Sequence, residues 1–109
     1  MKSLHQKQVT NILRVILQNL WLKPEGVSAR SILDTLPEKI DFSEEELRQS
    51  AFLPMPQYEE TAREVTNLLV DAGWFVKERD LWNLSEEGRA VCKRIKNVED
   101  IYLAAVKLN

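Results

Sequence analysis

The chain has 109 residues, a formal charge of −2, 44% hydrophobic and 29% charged residues, and a single cysteine, Cys92. That length supports one domain, 1–109, with its own core and no need of a structural metal, and one cysteine excludes an internal disulfide framework. The start lacks the apolar run of a signal peptide, and the greasiest stretch, 12–22, is interrupted by Arg14, Gln18 and Asn19, short of the ~20 apolar residues of a membrane span. The expectation is a cytoplasmic protein with no membrane contact.

In chain order, Val9, Ile12, Leu13, Ile16, Leu17 and Leu20 follow the i, i+3, i+4, i+7 spacing of an amphipathic helix. Lys23-Pro24-Glu25-Gly26 ends it, because proline cannot continue the hydrogen-bond ladder and glycine accepts a reversed turn. Val27 is the candidate for a brief strand. Ser28 offers an N-cap oxygen to a short helix over 29–36, which Pro37 is expected to stop. Ser43 and Glu46 form a capping-box pair ahead of a turn or two of helix. Pro54 and Pro56 break the chain again. A third substantial helix is predicted over 57–72, with Val65, Leu68, Leu69 and Ala72 facing inward.

Gly73 is the expected C′ residue of that helix. The runs 74–76 and 81–84 are rich in aromatic and branched residues, as half-buried strands prefer, and the polar residues 77–80 supply a hairpin bend. A two-stranded ribbon alone is marginal in water, so it has to lean on the helices or recruit Val27 as a third strand. Trp74 and Trp82 are expected to pack in the core rather than stack on a ligand. Ser85 caps the last helix, with Glu86 and Glu87 in its first turn. The fold class is therefore mainly α (α+β): a winged helix-turn-helix with a two- or three-stranded wing and extra terminal helices.

From Tyr58 through Ala72-Gly73, Leu81-Trp82-Asn83-Leu84 and the cap Ser85-Glu86-Glu87-Gly88-Arg89, the chain resembles the amino-terminal winged-helix domain of Mrr-type restriction endonucleases. Lys23-Pro24-Glu25-Gly26 before Ala29-Arg30 also resembles the family's first loop, so the likeness spans roughly residues 8–95. It implies a module that helps bring a separate nuclease domain to DNA. The acid and Glu-x-Lys pattern of such a nuclease is absent, which implies a fragment or small subunit with a larger nuclease or ATPase partner. The chain departs from the family's third helix, where Thr61 and Glu64 stand at places usually held by arginine and tryptophan.

The charge is unevenly spread: residues 34–64 hold nine acids and three bases, a net of −6, which leaves +4 elsewhere. In a winged helix reading double-stranded DNA, the third helix enters the major groove and Lys and Arg neutralise phosphates. Glu59, Glu60, Glu64 and Asp71 make 57–73 a poor conventional recognition helix. A DNA contact led by the wing is the alternative, with Arg30, Arg63, Lys77 and Arg79 as candidate residues. The competing reading is a protein-interaction or dimerisation winged helix that binds no nucleic acid.

No catalytic arrangement is legible: His5 has no second ligand nearby, Cys92 has no activating histidine, and no cofactor is implied. The terminal helices offer an interaction surface. Leu4, Val15 and Leu22 fall on one line of the first helix. In the extension 86–109, Val91, Ile95, Val98, Tyr102 and Ala105 recur at coiled-coil spacing, with Ile101 beside them. Together, Leu4, Val15, Leu22, Val98, Ile101, Tyr102 and Ala105 are the candidate homodimer residues, the alternative being a bend near Asn97 that folds the last helix back on the first.

Overall fold

The computed structural model describes residues 4–109. Side chains are described from Gln6 onward, so the expectations attached to Leu4 and His5 lie outside the described side chains. In chain order the elements are α1 (Leu4–Trp21), β1 (Val27–Ser28), α2 (Ala29–Lys39), α3 (Glu44–Leu47), α4 (Gln57–Asp71), β2 (Phe75–Glu78), β3 (Leu81–Leu84), α5 (Glu86–Arg94) and α6 (Val98–Leu108). The arrangement is the winged helix-turn-helix expected from the sequence, with the third strand present.

The inward stripe of α1, from Val9 to Leu20, is buried as its spacing requires. Ile32, Leu33 and Leu36 of α2 and Ala62, Val65 and Leu69 of α4 close over it. Pro37 does not stop α2, which runs two residues further to Lys39. Pro37 has no N–H to offer the Leu33 carbonyl, so α2 gives up one bond there, but the helix continues for less than a turn and closes with the Ile40 N–H donating to the Leu36 carbonyl.

Gly73, at φ +85°, ends α4 in a Schellman turn. Its N–H donates to the Val70 carbonyl at 3.0 Å and the Trp74 N–H donates to Leu69 at 2.9 Å. Trp74 thus belongs to the cap, and β2 begins one residue later than the run of apolar residues suggested. The sheet is antiparallel in the order β1-β3-β2, with Lys77 opposite Trp82 and Val27 on the far side of Trp82. Trp82 is 1% exposed and meets Phe75 edge-on at 5.6 Å. The wing is therefore anchored from beneath by an aromatic pair, which meets the need of a short ribbon for outside support.

Ser85 couples the wing to α5. Its hydroxyl donates to the Gly73 carbonyl at 2.6 Å and accepts from the Gly88 N–H at 3.0 Å, so one side chain joins the end of α4 to the start of α5. Gly88 lies directly on the Trp74 carbonyl, where a Cβ would fall 1.9 Å from the oxygen.

The extension 86–109 is not one helix. The chain leaves helical geometry at Ile95, and Asn97 starts α6 by accepting from the Glu99 N–H at 2.9 Å. The continuous seam through Val91, Ile95, Val98, Tyr102 and Ala105 is thereby corrected: α6 turns back and packs on α1 and α4, the alternative arrangement at Asn97. Ile101 and Ala105, read as interface residues, are buried at 4% and 0% exposure in the chain's own core. Val15, Val98 and Tyr102 are half-buried against that core, and Leu22, just past the end of α1, is 76% exposed.

Candidate nucleic-acid interface

Glu59 organises the face formed by α2, α4 and the wing. It sits in the first turn of α4 yet is only 4% exposed, because Tyr58 and Ala62 on the same face of the helix turn inward. Isolated burial of a carboxylate is costly, so it requires partners. Arg30 Nη2 reaches Glu59 Oε1 at 2.5 Å, and Arg63 Nε reaches Oε2 at 3.4 Å. Arg30 also donates through Nε to Asp34 Oδ1 at 3.0 Å. The hydrogen bond to Glu59 is the main cause that raises the Arg30 pKa above its ordinary value.

Beside this pair of guanidiniums lies the ring of Trp82. Arg63 stands over it at 5.9 Å from its centroid and the Lys77 ammonium at 4.6 Å. Lys77 Nζ also donates to Asn67 Oδ1 of α4 at 2.8 Å. Burial of the ammonium, with repulsion from Arg63 second, lowers the Lys77 pKa to about 8. Three cations from three different elements are thus gathered around one tryptophan and one carboxylate.

The hairpin turn is fixed to the start of α2. The Ser28 hydroxyl donates to Asp80 Oδ2 at 2.5 Å, the Arg30 N–H to Oδ1 at 3.3 Å, and the Ala29 N–H to the Asp80 carbonyl at 2.6 Å. Arg79, the residue before it, adopts φ +56° in the two-residue turn and is exposed. The structure therefore brings Arg30, Arg63 and Lys77 together and holds Arg79 at the tip of the same wing.

Glu59 counted in the sequence among the acids that make 57–73 a poor recognition helix, and that part is corrected: the carboxylate points inward and is engaged by two arginines. The spacing of Glu59 and Arg63, four residues apart on one helix, was an available signal. The Arg30 contact depends on how α2 crosses α4 and had no local signature. Asn67 and Asp80 were likewise missed as the side chains that position Lys77 and the hairpin turn. Glu64, Asn67 and Asp71 remain on the exposed side of α4. Glu60 is half-buried and accepts from the Ser50 hydroxyl.

The other basic residues have separate surroundings. Arg89 donates to the Leu20 carbonyl at 3.1 Å and lies over Trp21 at 5.8 Å, so it clamps the end of α1. Lys93, Arg94 and Lys96 are exposed near the α5–α6 junction. Cys92 is half-buried, and burial raises its thiol pKa. Among the described residues no group of three His, Cys, Asp or Glu side chains is placed to hold a metal ion, and no helix is long and apolar enough to cross a membrane. No protein-family model, curated protein or solved structure matches the chain.

Proposed function

We propose that the chain is a non-catalytic DNA-binding winged-helix module that meets the duplex backbone through Arg30, Arg63, Lys77 and Arg79. The observation that carries this reading is the convergence of Arg30, Arg63 and Lys77, from α2, α4 and β2, on the Glu59 carboxylate and the Trp82 ring. Guanidiniums held in place by a buried carboxylate lose less side-chain freedom when they grip a phosphate, and Arg presents a planar fork suited to that geometry. The wing tip extends the same surface through Arg79. The acidic outer side of α4, with Glu64 and Asp71, favours backbone contact over insertion of this helix into the major groove.

The resemblance to the Mrr amino-terminal domain supports a cytoplasmic targeting role, as a domain or small subunit beside a larger nuclease or ATPase partner in a restriction or defence system. A second reading, a winged helix that binds protein alone, draws on the engagement of Arg30 by both Glu59 and Asp34, which offsets much of its charge.

Anisotropy of a labelled duplex of generic sequence separates the two. Three to four phosphate contacts give a slope of log affinity against log salt of about −2.7 to −3.6, so affinity falls between about 40- and 150-fold from 50 to 200 mM salt. Absence of binding at 50 mM salt would leave the protein-interaction reading in its place.

A further inference from the structure

A second surface lies away from the cationic face. A groove of about 670 Å³ runs between the C-terminal half of α1 and the α5–α6 junction. Leu17, Trp21, Ile95 and Val98 form its apolar floor, and Arg14, Lys93 and Lys96 rim it, with no acidic residue in its lining. Trp21 remains 41% exposed there and the neighbouring Leu22 76%. A tryptophan this open beside an apolar groove is characteristic of an interface rather than of a solvated surface.

The chain also carries a surface of the opposite character. Residues 44–53 hold three glutamates and one arginine, a net of −2, and expose Leu47 at 49%, Phe52 at 88% and Leu53 at 42%. Phe52 is not on a loose loop. The Ser50 hydroxyl accepts from the Phe52 and Leu53 N–H groups at 3.2 and 3.3 Å and donates to Glu60. Gln49 Nε2 donates to the Leu53 carbonyl at 3.0 Å, and Gln49 bridges to Pro56. The loop is therefore preorganised to present an aromatic side chain outward, which reduces the ordering cost of seating it in a partner.

We propose that this acidic, phenylalanine-bearing loop docks into the basic-rimmed groove of a second copy of the chain, giving head-to-tail association. The occupant follows from charge: a segment of net negative charge that exposes Phe52 complements an apolar floor rimmed by Arg14, Lys93 and Lys96. The loop cannot reach the groove of its own chain. It lies by the early part of α1, where Gln8 Nε2 donates to Glu46 at 3.1 Å, whereas the groove starts at Arg14 and extends past the end of that helix. The two surfaces differ, so a contact repeated in one direction builds a ring or a filament, whereas reciprocal exchange between two copies closes a two-fold dimer with the contact made twice. Arg30, Arg63, Lys77 and Arg79 lie in neither surface, so association stands or falls independently of DNA binding.

Sedimentation velocity of the full chain from 10 μM to 1 mM tests the proposal. The wild type is expected to gain mass with concentration, and less so in 500 mM salt. Phe52→Glu on the loop and Trp21→Glu in the groove each leave a monomer, raising the dissociation constant at least tenfold. An equimolar mixture of the two variants regains a 1:1 complex and nothing larger, because one retains the groove and the other the loop. The pair Lys93→Glu and Lys96→Glu, at exposed positions, replaces Trp21→Glu if that variant loses its helical circular dichroism. A monomeric wild type at 1 mM, association unchanged by either substitution, or variants that fail to complement each other would overturn the proposal.

Discussion

Replacing Gly88 by alanine should destabilise the fold, although the same change in an ordinary helix interior stabilises it. Alanine has the higher helix propensity by about 1 kcal/mol. At this position the new Cβ would lie 1.9 Å from the Trp74 carbonyl oxygen and 2.8 Å from its carbon. The obstacle is backbone, and it is held by the Schellman turn on one side and the Ser85 N–H bond at 3.0 Å on the other. To restore ordinary contact, α5 has to retreat from the turn by more than an ångström, which weakens the Ser85 bonds to Gly73 and Trp74 as well. Overpacking of this kind costs about 1–3 kcal/mol and each lost hydrogen bond about 1 kcal/mol. With the propensity gain set against them, the net loss is about 2–4 kcal/mol. Urea unfolding followed by far-ultraviolet circular dichroism measures it as a fall in midpoint at unchanged slope. A variant as stable as the wild type, or more so, would refute the close packing of α5 on the wing's entry turn.

The other expectations concern the cationic face. Glu59→Gln should lower stability by about 1–2 kcal/mol, because a buried, doubly bonded carboxylate is lost while its partners remain partly hydrated, and should at the same time weaken duplex binding, because Arg30 and Arg63 lose the carboxylate that holds them in place; a tandem urea and anisotropy measurement reads both. Lys77 has a folded pKa of about 8, below its ordinary value, so the charged form is disfavoured by the fold. The unfolded chain therefore keeps its proton to higher pH, and stability should rise as pH passes from 8 toward the ordinary lysine value. As Lys77 loses its proton on passing through about pH 8, duplex affinity should fall, and Lys77→Arg should remove that dependence in anisotropy titrations. Arg79→Gly relieves a left-handed backbone and should add about 0.5–1 kcal/mol to stability in thermal melts while weakening duplex binding.

The legible parts of this fold were those written in neighbouring residues. Gly73, Ser85 and the Ser43–Glu46 box act within a turn of the chain, and each was found where its chemistry had placed it. The aromatic and branched residues around Trp82 and the polar bend before it sufficed for the hairpin, and Val27 for the third strand. The break at Ile95 was harder to see, because apolar residues at spacings of three and four continue across it. Asn97, followed by Glu99 and Asp100, had the composition of a helix start, and only packing on α1 and α4 decides that a new helix begins there. The candidate site was legible as a set of cations but not as a constellation. Arg30 and Arg63 come from separate helices, and what unites them is a glutamate whose burial is a property of the assembled core.

Mapping amide shifts in a proton–nitrogen correlation spectrum, as a generic duplex is titrated into the full chain, tests the central claim most directly. The account predicts that shifts concentrate at residues 28–31, 60–67 and 75–80, around Arg30, Arg63, Lys77 and Arg79. A spectrum unmoved at low salt, or shifts confined to the surroundings of Arg14, Lys93 and Lys96, would contradict it.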